Sequence, residues 1–272
     1  STPKPSSAAS DVYKRQLPYL RNFDLTGQVA LVTGSARGLG FCIARALAGC
    51  GARVLINGRN AAAVDAAVAD LAAAGLDAHP LPFDVSDDAD MARAFQRIDD
   101  EHGRLDVLVN NVGARNRKTL RDTSPAEIRE LIDTDLVAGM LLAKFAAERM
   151  VRQGGGRLIA ITSVVGELAR AGDAVYPAAK QGLTGMVRAL AAEFGGHHIT
   201  SNAIAPGTFA TETNAEMVAD PNVGPRIAAR NPTGRWGEPE EIAGAAVFLA
   251  SPAASYVNGH VLVVDGGLSI QF

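Results

Sequence analysis

The sequence has few cysteines, little net charge and no long apolar run. Its 272 residues contain only Cys42 and Cys50, with no metal-ligand spacing around either. A disulfide framework or a metal site is therefore not expected, and a reducing, cytoplasmic compartment fits. The 26 basic and 29 acidic residues leave a net charge of −3, which predicts no polybasic surface for nucleic acid. The apolar runs are also too short to predict a membrane span.

The N-terminal residues 1–22 differ in composition from the rest of the chain. They begin STPKPSSAAS, which is rich in Pro, Ser and Ala, and continue with the polar DVYKRQ. They contain no apolar segment of the kind found in a secretory signal, so none is expected. We interpret residues 1–22 as a flexible extension in front of a single domain that spans 23–272. The alternative is an arm that becomes ordered by packing on a partner subunit.

Beyond the extension, short apolar runs alternate with longer helical patterns, as in βαβ units. The runs are rich in Val, Ile and Leu on both faces, which favours buried parallel strands. Asn60 and Ser86 are candidate N-caps of the intervening helices, and Ser124 with Glu127 forms a capping box. The pattern predicts an α/β fold with a doubly wound parallel sheet. The predicted strands are 29–33, 53–57, 80–83, 105–109, 157–162, 199–205 and 260–264.

A glycine-rich loop follows the first predicted strand and leads into a helix. It reads TGSARGLG and contains Gly34, Gly38 and Gly40. Such glycines permit a tight turn and a close approach of the backbone to a phosphate, which then faces the helix N-terminus. We therefore predict a dinucleotide site here; the alternative is a plain turn.

The second predicted strand indicates which dinucleotide binds. An NAD site usually has an acidic residue about 20 residues beyond the glycines, bonded to the ribose. Here the strand ends at Asn57, without a carboxylate, while Arg37 and Arg59 lie in the two loops. Two guanidinium groups suit a 2′-phosphate, so NADP(H) is predicted. The alternative is that both arginines are solvated surface residues.

Tyr176 and Lys180 stand four residues apart in VYPAAK, a spacing that places both side chains on one face of a helix. On spacing alone the pair would be two ordinary surface residues. Together with TGSARGLG, the Asn110–Gly113 run NNVG and Ser163, the pair resembles the short-chain dehydrogenase/reductase family from about residue 24 onward. That resemblance implies a Rossmann-like sheet of seven strands and a homotetramer or homodimer. Residues 163–170, 204–212, 234–237 and 257–260 are similar to its gluconate 5-dehydrogenase branch.

The resemblance implies a role for each residue of this set. Tyr176 would exchange a proton with the substrate oxygen, and Ser163 would hydrogen-bond that oxygen. A free tyrosine has a pKa of about 10, so Lys180 one turn away would favour the phenolate and hold the nicotinamide ribose. The other implied cofactor contacts are Ser35, Leu39, Asp84, Val85, Asn110, Pro206, Gly207 and Thr211.

Substrate contacts are predicted on the loop after the fourth strand and on a lid. Arg117 matches the basic residue of the gluconate branch and is preferred over Arg115 as a clamp for a substrate carboxylate. The alternative is a solvated loop. Residues 211–232, with their prolines and glycines, predict a mobile lid.

Asp135 departs from the family pattern, which usually has Asn there as part of a proton relay. If the backbone carbonyl and a water carry that role, Asp can serve; if the amide itself is needed, activity would suffer. The Asp135 carboxylate would also pair with Lys180 and weaken the effect of Lys180 on Tyr176. The expected activity is hydride transfer between NADP(H) and a ketone or secondary alcohol of a sugar acid or polyol. The alternatives are a 3-oxoacyl carrier-protein reductase, or a non-catalytic NADP-binding scaffold or sensor.

Overall fold

The computed structural model describes residues 19–168 and 171–271. Most of the predicted N-terminal extension, residues 1–18, and the end of the 163–170 motif therefore lie outside the described residues. The described part of the extension includes a 3-10 helix, Leu20–Phe23. The flexible extension itself stays a prediction.

The predicted doubly wound sheet of seven parallel strands is confirmed. The strands run in the order β3-β2-β1-β4-β5-β6-β7 and every neighbouring pair is parallel. The chain moves outward in one direction from β1 and in the other from β4, so a crevice opens between these two strands at their carboxyl ends. The strands are β1 Val29–Val32, β2 Arg53–Ile56, β3 Ala78–Pro80, β4 Val107–Asn110, β5 Gly156–Ile161, β6 Ile199–Pro206 and β7 Val261–Val264.

Helices cover both faces of the sheet. The α-helices are α1 Gly38–Gly49, α2 Ala61–Ala73, α3 Asp88–His102, α4 Pro125–Ile132, α5 Ala138–Gln153, α6 Val175–Phe194, α7 Ala215–Ala219, α8 Gly224–Ala228 and α9 Ala243–Ala250. A π-helical turn, Asp133–Val137, joins α4 to α5. Further 3-10 turns are Leu120–Asp122, Val164–Gly166, Gly195–His197, Glu212–Asn214, Pro239–Ile242, Pro252–Ala254 and Leu268–Ile270. None of the helices in the two described segments has the length and apolar character that a membrane span requires.

Alternate residues of the central strands pack into two separate apolar clusters. Ala30 and Val32 of β1 contact the cluster formed with α1, α2 and α9, whereas Val29 and Leu31 contact the cluster formed with α3 and α5. Side chains of a strand point alternately to its two faces, so a strand that is apolar at every position must be covered twice. This explains why the strands read as unbroken apolar runs.

Local signals set most of the helix boundaries. The Asn60 side chain accepts a hydrogen bond from the backbone N–H of Ala63, and the capping box of Ser124 and Glu127 is present at α4. The prediction of Ser86 as an N-cap is wrong, because Asp87 caps α3. The Ser86 hydroxyl instead donates to Asp84 Oδ1 at 2.7 Å. The Asp84 carboxylate, two residues earlier, accepts this hydrogen bond, which closes a local turn.

The third strand lies earlier than the predicted 80–83. Its ladder with β2 runs from Ala78 to Pro80, and one further bond joins Leu81 N–H to the Ile56 carbonyl at 2.9 Å. Pro82 has no N–H to donate, so the pairing with β2 ends at Leu81, near the start of the predicted strand. The chain then turns toward the crevice at Asp84.

Candidate active site

A cleft of about 590 Å³ opens at the carboxyl ends of the strands, and most of the predicted site residues line it. Ligands of doubly wound sheets bind at this edge. The predicted residues that line the cleft are Gly34, Arg37, Gly38, Leu39, Gly40, Asn57, Arg59, Asp84, Val85, Arg117, Ser163, Tyr176, Lys180, Pro206, Gly207 and Thr211. Ser35, Asn110 and Asp135 are not part of the lining.

The glycine loop has the geometry of a phosphate cradle. Gly34 and Gly38 have φ angles of +60° and +59°, which L side chains rarely adopt. A Cβ on Gly40 would lie 2.5 Å from both Asn111 Nδ2 and the Gly34 carbonyl oxygen. Arg37 occupies the N-cap of α1 without a side-chain capping bond, so the first N–H groups of the helix lack a cap. These features fit an anionic group at the start of α1.

After β2, Asn57 is buried and bonded to the fold, whereas Arg59 is exposed. Asn57 is 1% exposed; its Oδ1 accepts from Gly34 N–H, and its Nδ2 donates to the carbonyls of Leu81 and Phe83 at 3.2 and 3.1 Å. Arg59 is exposed, and its Nη1 lies 4.0 Å from an oxygen of Asp84. Arg37 is also exposed on the cleft. Two guanidinium groups therefore border the cleft beyond the strand.

Ser35 and Asn110 are buried behind the cleft surface. The Ser35 hydroxyl donates to the Val32 carbonyl at 2.6 Å. The Asn110 side chain packs against Gly139, where an added Cβ would lie 2.5 Å from Asn110 Nδ2. Its neighbour Asn111 lines the cleft instead and donates to the carbonyls of Thr33 and Gly34. The predicted cofactor contacts of Ser35 and Asn110 stay predictions, and in both residues the side chain is engaged in the fold.

Ser163, Tyr176 and Lys180 converge at the inner end of the cleft. Ser163 follows β5, and its Oγ accepts from the Val165 N–H at 3.3 Å. Tyr176 and Lys180 lie one turn apart on α6, with Lys180 Nζ 5.6 Å from the centre of the Tyr176 ring. Lys180 is only 3% exposed, and its ammonium donates to the Ile161 carbonyl at 3.1 Å. A phenol, a hydroxyl and a fixed cation thus share one wall of the cleft.

Several charged groups besides Lys180 influence the pKa of Tyr176. Burial raises the pKa of Tyr176, and the strongest opposing influence is the guanidinium of Arg115, whose Cζ lies 4.8 Å from the ring centre. The hydrogen bond with Ser163 also lowers the pKa, while the charges of Asp135 and Asp173 raise it. The predicted effect of Lys180 on the phenol stays a prediction, and Arg115 is a second cation near the ring. Burial lowers the pKa of Lys180 itself.

Asp135 sits on the π-helical turn, behind Lys180. Its Oδ1 accepts from the Ala114 N–H at 2.6 Å, and its Oδ2 is buried without a hydrogen-bond partner. Burial raises the pKa of Asp135, and the Lys180 charge opposes that effect. Gly113 permits the close approach, because a Cβ there would lie 2.8 Å from Lys180 Nζ and 3.4 Å from Asp135 Oδ2. Asp135 therefore lies close to the Lys180 ammonium and behind the cleft surface.

The loop after β4 places two arginines differently. Arg117 has a φ of +46°, lines the cleft and donates through Nη2 to Asn214 Oδ1 at 3.1 Å, which joins the loop to the predicted lid. Arg115 lies over Tyr176 and binds the buried Asp173. Sequence reasoning missed Asp173, because no spacing rule connects residue 173 to residue 115. Among the described residues, no group of three His, Cys, Asp or Glu side chains could hold a metal ion.

Comparisons with known proteins agree with this geometry. A family model described as enoyl-(acyl carrier protein) reductase matches residues 34–269. As the sequence predicted, the chain belongs to the short-chain dehydrogenase/reductase family. It is an oxidoreductase of that family.

Individual relatives point to two kinds of substrate. The chain is 41% identical to gluconate 5-dehydrogenase of Gluconobacter oxydans, covering 92% of this chain and 97% of the relative. It is 38% identical to a 3-oxoacyl-[acyl-carrier-protein] reductase of Escherichia coli, covering 91% and 98%. A solved structure of a gluconate 5-dehydrogenase from Burkholderia cenocepacia in complex with NADP and tartrate is 37% identical, with a TM-score of 0.89 and coverage of 93% and 99%.

Proposed function

We propose that this protein transfers a hydride between NADP(H) and a secondary alcohol or ketone of a sugar acid, as a gluconate 5-dehydrogenase-like enzyme. The observation that carries the proposal is that Ser163, Tyr176 and Lys180 line the same cleft as the glycine loop. One cleft thus offers a proton donor at one end and an anion cradle at the other. Its relatives with gluconate and 5-ketogluconate activity in their names support the substrate class.

The cleft fits NADP(H) along its length. The glycine loop and the uncapped start of α1 would hold the pyrophosphate, and Arg37 with Arg59 would hold the 2′-phosphate. Asp84 and Val85 would contact the adenine, and Pro206, Gly207 and Thr211 would hold the carboxamide end of the nicotinamide. All five residues line the cleft. When bound, NADP(H) supplies or accepts the hydride at the reacting carbon.

The proton side of the reaction falls to the chain's own residues. Tyr176 would donate a proton to the ketone oxygen or remove one from the alcohol, since its phenol faces the cleft beside Ser163. The Ser163 hydroxyl would donate a hydrogen bond to that oxygen as negative charge develops. Lys180, fixed by the Ile161 carbonyl, would hold the nicotinamide ribose and add positive charge behind the phenol.

Substrate recognition would come from Arg117 and the lid. The Arg117 guanidinium can bind a sugar-acid carboxylate through two parallel hydrogen bonds. Its bond to Asn214 connects it to the short helices of residues 211–232, so carboxylate binding and lid position would be coupled. This arrangement suits a small acidic polyol.

The cofactor preference is testable by calorimetry in one buffer. We expect NADPH to bind at least about tenfold more tightly than NADH, equivalent to about 1.4 kcal/mol, because two arginines border the ribose end. The double substitution Arg37→Gln/Arg59→Gln should remove the preference. Arg45→Gln, which removes an exposed charge from the outer part of α1, should retain it. Equal or tighter binding of NADH by the unmodified protein would overturn the cofactor proposal.

The substrate class is testable with two substrates and NADPH. We expect reduction of 5-ketogluconate to be much faster than reduction of a 3-oxoacyl thioester, because Arg117 provides a carboxylate contact. Arg117→Met should raise KM for 5-ketogluconate more than for a neutral ketose. The opposite substrate order would favour the carrier-protein reductase.

Asp135→Asn should move the pH–rate profile for alcohol oxidation to lower pH. The Asp135 carboxylate disfavours the phenolate and raises the pKa of Tyr176, so its removal should let the phenol ionise at lower pH. The measurement is kcat/KM against pH for both proteins. Coincident profiles would show that Asp135 is neutral in the working enzyme or that its charge is compensated.

We also infer a cytoplasmic homo-oligomer, a dimer or tetramer. Free Cys42 and Cys50 support a reducing compartment. Three apolar side chains are exposed: Val137 at the end of the π-helical turn, Met140 on α5 and Val263 on the edge strand β7. They support assembly through these faces. Mass determination in solution tests the assembly, and a monomer would exclude it.

A further inference from the structure

Arg115 and Asp173 form a largely buried ion pair beside Tyr176, the proposed proton donor. Arg115 Nε donates to Asp173 Oδ2 at 2.5 Å, and Nη2 contacts the same oxygen. The Asp173 side chain is 2% exposed and the Arg115 side chain 23%. Burial of such a pair costs desolvation energy, and Asp173 Oδ1 is buried without a hydrogen-bond partner. The two contacts to Oδ2 hold the Arg115 guanidinium against Asp173.

The position it holds is over the Tyr176 ring. Arg115 Cζ lies 4.8 Å from the ring centre, closer than Lys180 Nζ at 5.6 Å. Asp173 lies just before α6, three residues ahead of Tyr176, whereas Arg115 lies on the loop after β4. The pair therefore ties that loop to the segment just before α6, and brings a cation that the sequence spacing does not reveal.

Arg115 also lines the cleft, but the same geometry limits its use as a carboxylate clamp. A guanidinium clamps a carboxylate best through two free parallel N–H groups. In Arg115 the edge formed by Nε and Nη2 is occupied by Asp173. Arg117, two residues on, reaches the lid from the cleft surface instead. The two arginines thus have different tasks.

We propose that Arg115, oriented by Asp173, is a positioning residue that stabilises the ionised phenol of Tyr176 when the enzyme oxidises an alcohol. The inference rests on the proposed function, because it assigns Tyr176 the proton transfer. The charge on the guanidinium opposes the cost of ionising a phenol that is largely removed from water. Asp173 fixes that charge and does not touch the substrate.

Several groups face Tyr176, and their effects have different signs. Arg115 and the Ser163 hydrogen bond lower the pKa of the phenol, while Asp135 and Asp173 raise it. Lys180 Nζ lies 5.6 Å from the ring centre. Arg115 has a larger effect than Asp173, so the pair as a whole favours the phenolate. Removal of the entire pair should therefore disfavour ionisation, and so should removal of Arg115 alone.

The test compares pH–rate profiles of Arg115→Gln with those of Lys118→Gln. Lys118 is on the same loop but pairs with Glu127 at 2.5 Å, outside the cleft, so its substitution controls for the lost charge. We expect the acid limb of Arg115→Gln to move to higher pH, so that the rate at a fixed pH on that limb falls about tenfold. Arg115→Lys, which keeps the charge without the planar fork, should lie between Arg115→Gln and the unmodified enzyme.

Removal of Arg115 alone leaves Asp173 buried without its cation, so Arg115→Gln/Asp173→Asn is measured beside it. This double variant can retain a neutral hydrogen bond and should also show the shift to higher pH. A profile equal to that of Lys118→Gln, or a double variant that matches the unmodified enzyme, would overturn the proposal. A raised KM with an unmoved profile would also overturn it, by making Arg115 a substrate contact.

A second measurement does not require turnover. Ultraviolet titration of each protein, with the signal of its Tyr176→Phe counterpart subtracted, follows ionisation of this phenol directly. We expect ionisation at higher pH in Arg115→Gln than in Lys118→Gln. If the protein turned out to act on no sugar acid, this titration would still support or refute the effect of Arg115 on Tyr176.

Discussion

Replacing Tyr176 by Phe is expected to lower kcat by about 10²- to 10⁴-fold, the range for losing general acid–base catalysis, while NADPH still binds. The phenol lies in the cleft beside Ser163, where it can donate a proton to the substrate oxygen or accept one from it. Phenylalanine keeps the ring and its packing under Arg115, so the cleft should retain its shape. Initial rates and calorimetric titration of the same preparation measure the two quantities separately.

Tyr256→Phe provides the matched control. Tyr256 is fully exposed at 101%, so loss of its hydroxyl should leave both turnover and binding unchanged. If Tyr176→Phe kept its turnover, proton transfer would have to be reassigned. If the unmodified protein bound NADPH but turned over no alcohol or ketone, the scaffold or sensor interpretation would replace the enzyme.

Gly40→Ala is expected to weaken NADPH binding on the order of 100-fold, equivalent to about 2.7 kcal/mol. An added Cβ would meet Asn111 Nδ2 and the Gly34 carbonyl oxygen at 2.5 Å, and the Ser35 Cα at 3.0 Å. Two of these three neighbours are backbone atoms, so the glycine loop itself must move. Overpacking of this kind costs about 1–3 kcal/mol, and here it displaces the N–H groups that would face the phosphates.

Gly49→Ala tests whether the loss is specific to position 40. Gly49 ends the same helix, and a Cβ there has no atom within 4 Å. Its substitution should leave NADPH affinity unchanged and raise the free energy of unfolding by up to about 1 kcal/mol, from helix propensity. Equal affinities of Gly40→Ala and the unmodified protein would contradict the proposed phosphate cradle.

The sequence determines the sheet and the two ends of the cleft because these depend on local signals. Unbroken apolar runs predicted the parallel strands. The glycine spacing predicted a tight turn, in which Gly34 and Gly38 have positive φ angles. The four-residue spacing of Tyr176 and Lys180 predicted a shared helix face. In each case neighbouring residues specify the geometry, so a rule about short segments is sufficient.

The remaining details depend on partners distant in the chain. Asn57 reaches the carbonyls of Leu81 and Phe83, and Arg115 reaches Asp173, across 58 positions. The helix spacing indicated Lys180 as a cation near Tyr176, but it did not indicate Arg115 on the loop that packs over the ring. Burial, which raises the pKa of Tyr176, is also a property of the whole fold.

The hydrogen bonds of Asn57 have a consequence for attempts to redesign cofactor preference. An acidic residue at the end of β2 is the usual way to favour NAD, and position 57 is the place where sequence reasoning would introduce it. A carboxylate there would lose both Nδ2 donors and face the carbonyl oxygens of Leu81 and Phe83. Evolution toward NAD would therefore have to begin at the exposed Arg59, since a substitution at position 57 that changed the cofactor preference would also destabilise the fold.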